Sequence, residues 1–167
     1  YHQGKYKESE KQYREAVQLR SNIYGSHHEL TAASISNLAT LYHEVGQYQE
    51  AEKLFNEASD IFLETIGQNH PRYCFNLMVQ VNFYADMGNF EKALEIAIQA
   101  EKIGNTVFGE NNPEYTNTLN NLATVYVDLK RYEDAIPVFE KVLSYRRKFF
   151  GPESVDYMIA MNNLAFT

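Results

Sequence analysis

Asn37-Leu38-Ala39-Thr40-Leu41-Tyr42, followed by Gly46-Gln47-Tyr48 and Ala51-Glu52, sets the frame in which the whole chain reads. The frame returns as Asn121-Leu122-Ala123-Thr124-Val125-Tyr126 with Tyr132 and Ala135. Around these segments, Gly25, Gly67, Gly109 and Gly151 stand 42 residues apart, and Gly4, Gly46, Gly88 and Lys130 keep that period at a second phase. Two positions after the second series come Tyr6, Tyr48, Phe90 and Tyr132. Three further on are the small residues Ser9, Ala51, Ala93 and Ala135. Four markers in register over three periods define an internal repeat.

Each marker has a physical task. The glycines follow apolar stretches of helical spacing, where the residue after a helix takes a left-handed conformation. Lys130 in that place should cost about 1 kcal/mol relative to glycine. Read this way, every glycine is an isolated helix stop, and none belongs to a phosphate-cradling loop. The small residues let two helix backbones approach closely. Pro71 and Pro113 suit the first turn of a helix, and Asn112 is placed to cap it. Between marks, Ala51, Leu54, Phe55, Ala58, Ile61, Phe62 and Ile66 follow the i, i+3, i+4, i+7 stripe, as do Ala93, Leu94, Ala97, Ala100, Ile103 and Val107. The spacing predicts a helix A near 30–45, 72–87, 114–129 and 155–167, and a helix B near 6–24, 48–66, 90–108 and 132–150. Pro137, early in the last helix B, predicts a local kink or a delayed start. The fold class is all-α.

Composition agrees. The chain has 167 residues, enough for a packed core, with 44% hydrophobic and 22% charged residues, in the globular range. No apolar run approaches the roughly 18 residues of a membrane span, and no basic stretch leads into an apolar one at the start. A single cysteine, Cys74, and the lack of an Asn-x-Ser/Thr sequon fit a reducing compartment, so a cytoplasmic location is expected. A net charge of −7 argues against a nucleic-acid partner, which is gripped through Lys and Arg.

The two quoted segments, with Gly67-Gln68-Asn69-His70-Pro71 between units, resemble a tetratricopeptide repeat. The usual unit is about 34 residues, and the extra eight add about one turn per helix. This is similar to the 42-residue subclass of kinesin light chains and of bacterial arrays joined to nucleotide-binding or caspase-like (CHAT) signalling domains. The resemblance implies a right-handed α-solenoid of antiparallel helix pairs, divided as a partial unit 1–25, units 26–67, 68–109 and 110–151, and a partial unit 152–167. Tyr1 aligns with His43 and Thr167 with Val125. A fragment of a longer array is therefore expected, with head-to-tail self-association through its complementary ends.

In that family helix A lines the concave groove, and asparagines before the Leu-Ala pair meet partner peptides. The matching positions are Asn37, Asn121 and Asn163, with Thr40, Asn82, Asn117, Asn120 and Thr124 on the same face. An asparagine both donates to and accepts from a peptide backbone; alternatively these side chains only bond neighbouring helices. The second unit departs, with Val79 in the asparagine place beside Phe75 and Met78. That trio is either packing between helices or a pocket for an anchor side chain of the partner.

Charge placement refines the partner. Arg72 is the one basic residue across the helix A segments, whereas Glu44, Asp86 and Asp128 recur every 42 residues as an acidic rim. Capture of a C-terminal carboxylate, or of the tryptophan–acidic cargo peptides of kinesin light chains, needs groove cations that are missing here. A neutral or basic protein or peptide with an apolar anchor fits better. No cofactor is implied, and no membrane or nucleic-acid partner. His2, His27, His28, His43 and His70 lack metal-ligand spacing. Cys74 follows His70 by four, but a lone cysteine at a helix start reads as packing rather than as a nucleophile. The expectation is a protein-binding scaffold without catalysis. The alternative is a regulatory or spacer segment of a larger signalling protein that contacts that protein's own domains.

Overall fold

Where each apolar stripe ends, the backbone turns through a residue with positive φ. Gly25, Gly46, Gly67, Gly88, Gly109 and Gly151 lie at φ between 74° and 99°, and Lys130 is the non-glycine among them at 58°. A left-handed L-residue costs roughly 1–2 kcal/mol, so Lys130 is held there by the helices on either side. The computed structural model describes residues 2–110 and 112–165, with side chains from Tyr6 onward. The helices are α1 (His2–Tyr24), α2 (Glu29–Glu44), α3 (Tyr48–Thr65), α4 (Pro71–Asp86), α5 (Phe90–Phe108), α6 (Pro113–Asp128), α7 (Tyr132–Phe150) and α8 (Val155–Ala165). No strand is present among the described residues. The expected last residues 166–167 of the final helix A lie outside them.

Four helix starts share one device at the 42-residue period. His28 Nδ1 accepts from the Leu30 amide and His70 Nδ1 from the Arg72 amide, each at 3.1 Å. Asn112 Oδ1 accepts from the Glu114 amide at 2.9 Å, and Ser154 Oγ from the Tyr157 amide at 3.2 Å. Each satisfies one of the orphan donors of a first helical turn. The sequence pattern exposes only Asn112 as a cap; His28 and His70 cap their helices through Nδ1 in the same way.

Three expectations need correction. Gly4 does not stop a helix, because α1 runs through it from His2; glycine costs about 1 kcal/mol against alanine, too little to break a helix alone. Gly104 is buried within α5 and is not a helix stop. A Cβ built on it would lie 2.8 Å from Thr118 Cγ2, so glycine is what lets α5 approach α6 this closely. Finally, the delayed start that Pro137 offered for α7 does not occur: the helix begins at Tyr132 and carries Pro137 on its exposed side. Ala135 and Phe139, buried on the other side, hold the helix through the missing hydrogen bond.

The chain divides into two compact units, one reaching to Val79 and the other beginning at Gln80. In the first unit α2 packs against α1 and α3. Arg14 bonds the Tyr42 hydroxyl and Arg20 the Leu30 carbonyl, so advancing along α1 means receding along α2: the pair is antiparallel. Ala51 and Ala58 are fully buried, and Phe55 and Phe62 nearly so. A buried phenylalanine contributes roughly 1.5–3 kcal/mol. In the second unit α6 packs on α5 and α7, and α7 on α8. Tyr115, Leu119, Val142 and Ala160 form one core cluster there, and Ala123, Ala135 and Phe139 another. Of the small residues of the repeat, Ala51, Ala93 and Ala135 are at zero exposure, as close helix approach requires, whereas Ser9 is half-buried. Arg146 repeats the role of Arg20 three periods on, donating to the Asp156 carbonyl at 3.1 Å.

Candidate partner-binding face

On α2 the helical period brings Ala33, Ser36, Asn37 and Thr40 onto one face, and on α4 it does the same for Arg72, Phe75, Asn76 and Val79. Together with Phe62 these residues wall a depression of about 190 Å³ in the first unit. Asn37 and Thr40 supply its polar side, whereas Phe75, left 42% exposed, and Val79 supply its apolar side. Thr40 Oγ1 donates to the Ser36 carbonyl at 3.1 Å, which fixes its rotamer. Met78 is half-buried on the same helix and is not among the walls. Arg72 approaches Glu29 at 3.7 Å, so the cation at the rim has an acidic neighbour.

Asn37, Thr40 and Val79 also border a second depression, of about 330 Å³, with Leu41, Glu44 and the α1 residues Tyr6, Ser9 and Tyr13. The share of α1 was missed in the sequence, although Tyr6, Ser9 and Tyr13 stand at i, i+3 and i+7. The helix A pattern alone could not show that a helix B reaches the same opening.

In the second unit Asn82 and Thr124 are exposed, and Asn117, Asn120, Asn121 and Asn163 are half-buried. Asn163 Nδ2 donates to Asn120 Oδ1 at 3.0 Å, so at this pair asparagines do bond neighbouring helices. Asn117 Nδ2 donates to Glu114 at 3.2 Å, and Thr124 Oγ1 to the Asn120 carbonyl at 2.9 Å.

The acids Glu44, Asp86 and Asp128 are the last residues of α2, α4 and α6, at the negative ends of the helix dipoles. Within the second unit, burial and then the charge of Asp86 hold the Asp128 carboxyl above its ordinary value. Cys74 is wholly buried, and burial pushes its thiol up to about 12, which suits packing and not nucleophilic attack. No group of three His, Cys, Asp or Glu residues that would hold a metal occurs among the described residues, and no helix there is long and apolar enough to cross a membrane.

Paired helices, repeated at 42 residues and closed by left-handed turns, define a helical-repeat protein. The chain belongs to the tetratricopeptide repeat family, whose sequence pattern matches residues 1–64, 77–148 and 114–167. It is similar to the nearly identical TPR-like repeats of a kinesin-light-chain-type protein of Podosopora anserina. Identity is 22% and TM-score 0.81, over 99% of this chain and 78% of that one; a point variant of that protein gives 22% and 0.82 over the same shares. BtubC (BKLC) of P. vanneervenii shows 22% identity and a TM-score of 0.83, over 96% of this chain and 65% of that one. At this identity the likeness establishes the fold, an α-solenoid of the kinesin-light-chain-like type. No curated protein sequence matches the chain. In general terms the protein is an interaction scaffold for other proteins.

Proposed function

We propose that the chain binds a segment of a partner protein on its helix A faces and that the segment is neutral or basic, with an apolar anchor. In the first unit the contacts are Asn37, Thr40, Phe75 and Val79, with Met78 beside them. In the second they are Asn82, Asn117, Asn120, Asn121, Thr124 and Asn163. The observation that carries the reading is the 190 Å³ depression, which sets two groups able to bond a peptide backbone opposite the exposed Phe75 and the half-buried Val79. The acidic helix ends favour a partner with Lys or Arg near its anchor.

Selection of binders from a random peptide library tests this. The selected peptides should share an apolar residue and carry zero or positive charge. Phe75→Asp and Asn121→Ala should each weaken a selected peptide by about tenfold or more, the scale of a lost interface contact, while helical circular dichroism stays unchanged. Selection of acidic peptides, or full binding by both variants, would overturn the assignment.

A further inference from the structure

On the opposite side of α2 lies an open groove of about 510 Å³ in the first unit. Ile35 and Leu38, at 4% and 5% exposure, form its floor, and Val17, Gln18, Leu54 and Glu57 stand around it with Arg14 at one end. Two repeats later, in the second unit, the equivalent space is filled from within. Tyr115, at 1% exposure, donates its hydroxyl to Glu101, packs with Leu119 and Val138, and lies under the Lys141 ammonium at 5.3 Å. Subtracting 84 residues, Glu101, Leu119, Val138 and Lys141 become Val17, Ile35, Leu54 and Glu57, four residues of the groove. Tyr115 itself becomes Thr31.

The period thus reads Thr31, Tyr73, Tyr115, Tyr157: a tyrosine in three places and a threonine in one. Thr31 turns its hydroxyl to the Gly25 carbonyl at 2.9 Å, so it reaches none of the groove. We propose that this groove is a docking site for a tyrosine side chain presented by a partner protein, on the side of α2 away from the helix A face. The molecule itself shows what fits. A tyrosine ring occupies the same set of positions in the second unit, and a cavity of about 150 Å³ already accepts a benzene ring. The polar surroundings change in a matching way. The phenol donates to Glu101 in the second unit; in the groove Val17 takes that place, and Glu57, standing where Lys141 stands, becomes the acceptor with Gln18. Burial of the ring between the half-buried Val17 and Leu54, over the floor of Ile35 and Leu38, supplies the affinity, and the hydroxyl supplies the preference for tyrosine over an aliphatic chain.

N-acetyl-tyrosinamide is the probe, with N-acetyl-alaninamide as control, titrated into the full chain while the methyl resonances of Ile35, Leu38 and Leu54 are followed. The tyrosine probe should shift these methyls saturably with a dissociation constant on the order of 1 mM, and the alanine probe should not. Thr31→Tyr, which fills the groove from within, should weaken the probe at least tenfold and leave peptide binding on the helix A face unchanged. Should Thr31→Tyr fail to fold by circular dichroism, Val17→Arg at the groove edge serves in its place with the same expected loss. Silent methyls in the wild type, equal response to the two probes, or undiminished binding by a folded variant each overturn the site. None of these outcomes bears on the helix A reading, which uses other residues.

Discussion

Gly104→Ala is a substitution for which two local effects oppose each other and the structure decides the sign. Helix propensity alone makes alanine better than glycine by about 1 kcal/mol in a helix interior. The new methyl, however, would stand 2.8 Å from Thr118 Cγ2 and 3.0 Å from Thr118 Oγ1. Thr118 has little room to yield, being 1% exposed with its hydroxyl bonded to the Tyr115 carbonyl at 2.8 Å. Overpacking of this kind costs roughly 1–3 kcal/mol, so Gly104→Ala should range from neutral to about 2 kcal/mol destabilising. In a Thr118→Ala background both close atoms are gone, and only the Cβ contact at 3.4 Å remains. There Gly104→Ala should regain the full propensity term and stabilise by about 1 kcal/mol. The assay is a double-mutant cycle in urea followed by helical circular dichroism, with the coupling term read directly. An equal stabilising effect in both backgrounds would refute the close approach of α5 and α6, and with it the reason for a glycine in mid-helix.

Three further outcomes follow from the caps, the left-handed turn and the charges. Asn112→Ala should cost about 1 kcal/mol and His70→Asn much less, since asparagine can accept the same amide hydrogen bond; thermal melts would distinguish the two. Lys130→Gly should raise stability by up to about 1 kcal/mol by relieving the left-handed backbone, again read from the urea midpoint. The pH dependence has two opposing contributions. Arg14 and then Tyr42 hydrogen-bond Glu10 and hold its carboxyl below the ordinary value, so its stabilisation is present above the unfolded-state value and is lost as pH falls through the folded one. The Asp128 carboxyl is raised, so stability falls as pH climbs from the unfolded value of an aspartate to the higher folded one. Glu10→Gln should therefore flatten the acid limb of a stability–pH profile, whereas Asp128→Asn should remove the loss just above the usual aspartate range.

How much of this was legible in the residues depends on the distance over which each feature is decided. The helix stops, the small residues at the close approaches and the Asn112 cap are local. A φ above zero or an orphan amide is satisfied within a few residues, so the 42-residue period displays them directly. The family resemblance rests on the same marks. Gly4 and Gly104 misled because glycine's preference for turns is worth about 1 kcal/mol, which a continuing helix or a tight interface outweighs. The delayed start that Pro137 offered is absent for a related reason: the buried Ala135 and Phe139, flanking it in sequence, hold α7 across one missing hydrogen bond.

The candidate faces divide similarly. The sequence by itself placed Asn37, Thr40, Phe75 and Val79 on helix A, because the helical period fixes which residues share a face. Only the tertiary structure joined them into one depression, excluded Met78 from its walls, and brought Tyr6, Ser9 and Tyr13 of α1 to the same opening. The same holds for the repeat as a whole. Its period of 42 fixes where the helices lie, since turns and stripes are written in neighbouring residues. Whether Thr31 leaves a groove open where Tyr115 fills one depends on side chains from three helices meeting, and only the packing of α1 and α3 against α2 brings them together.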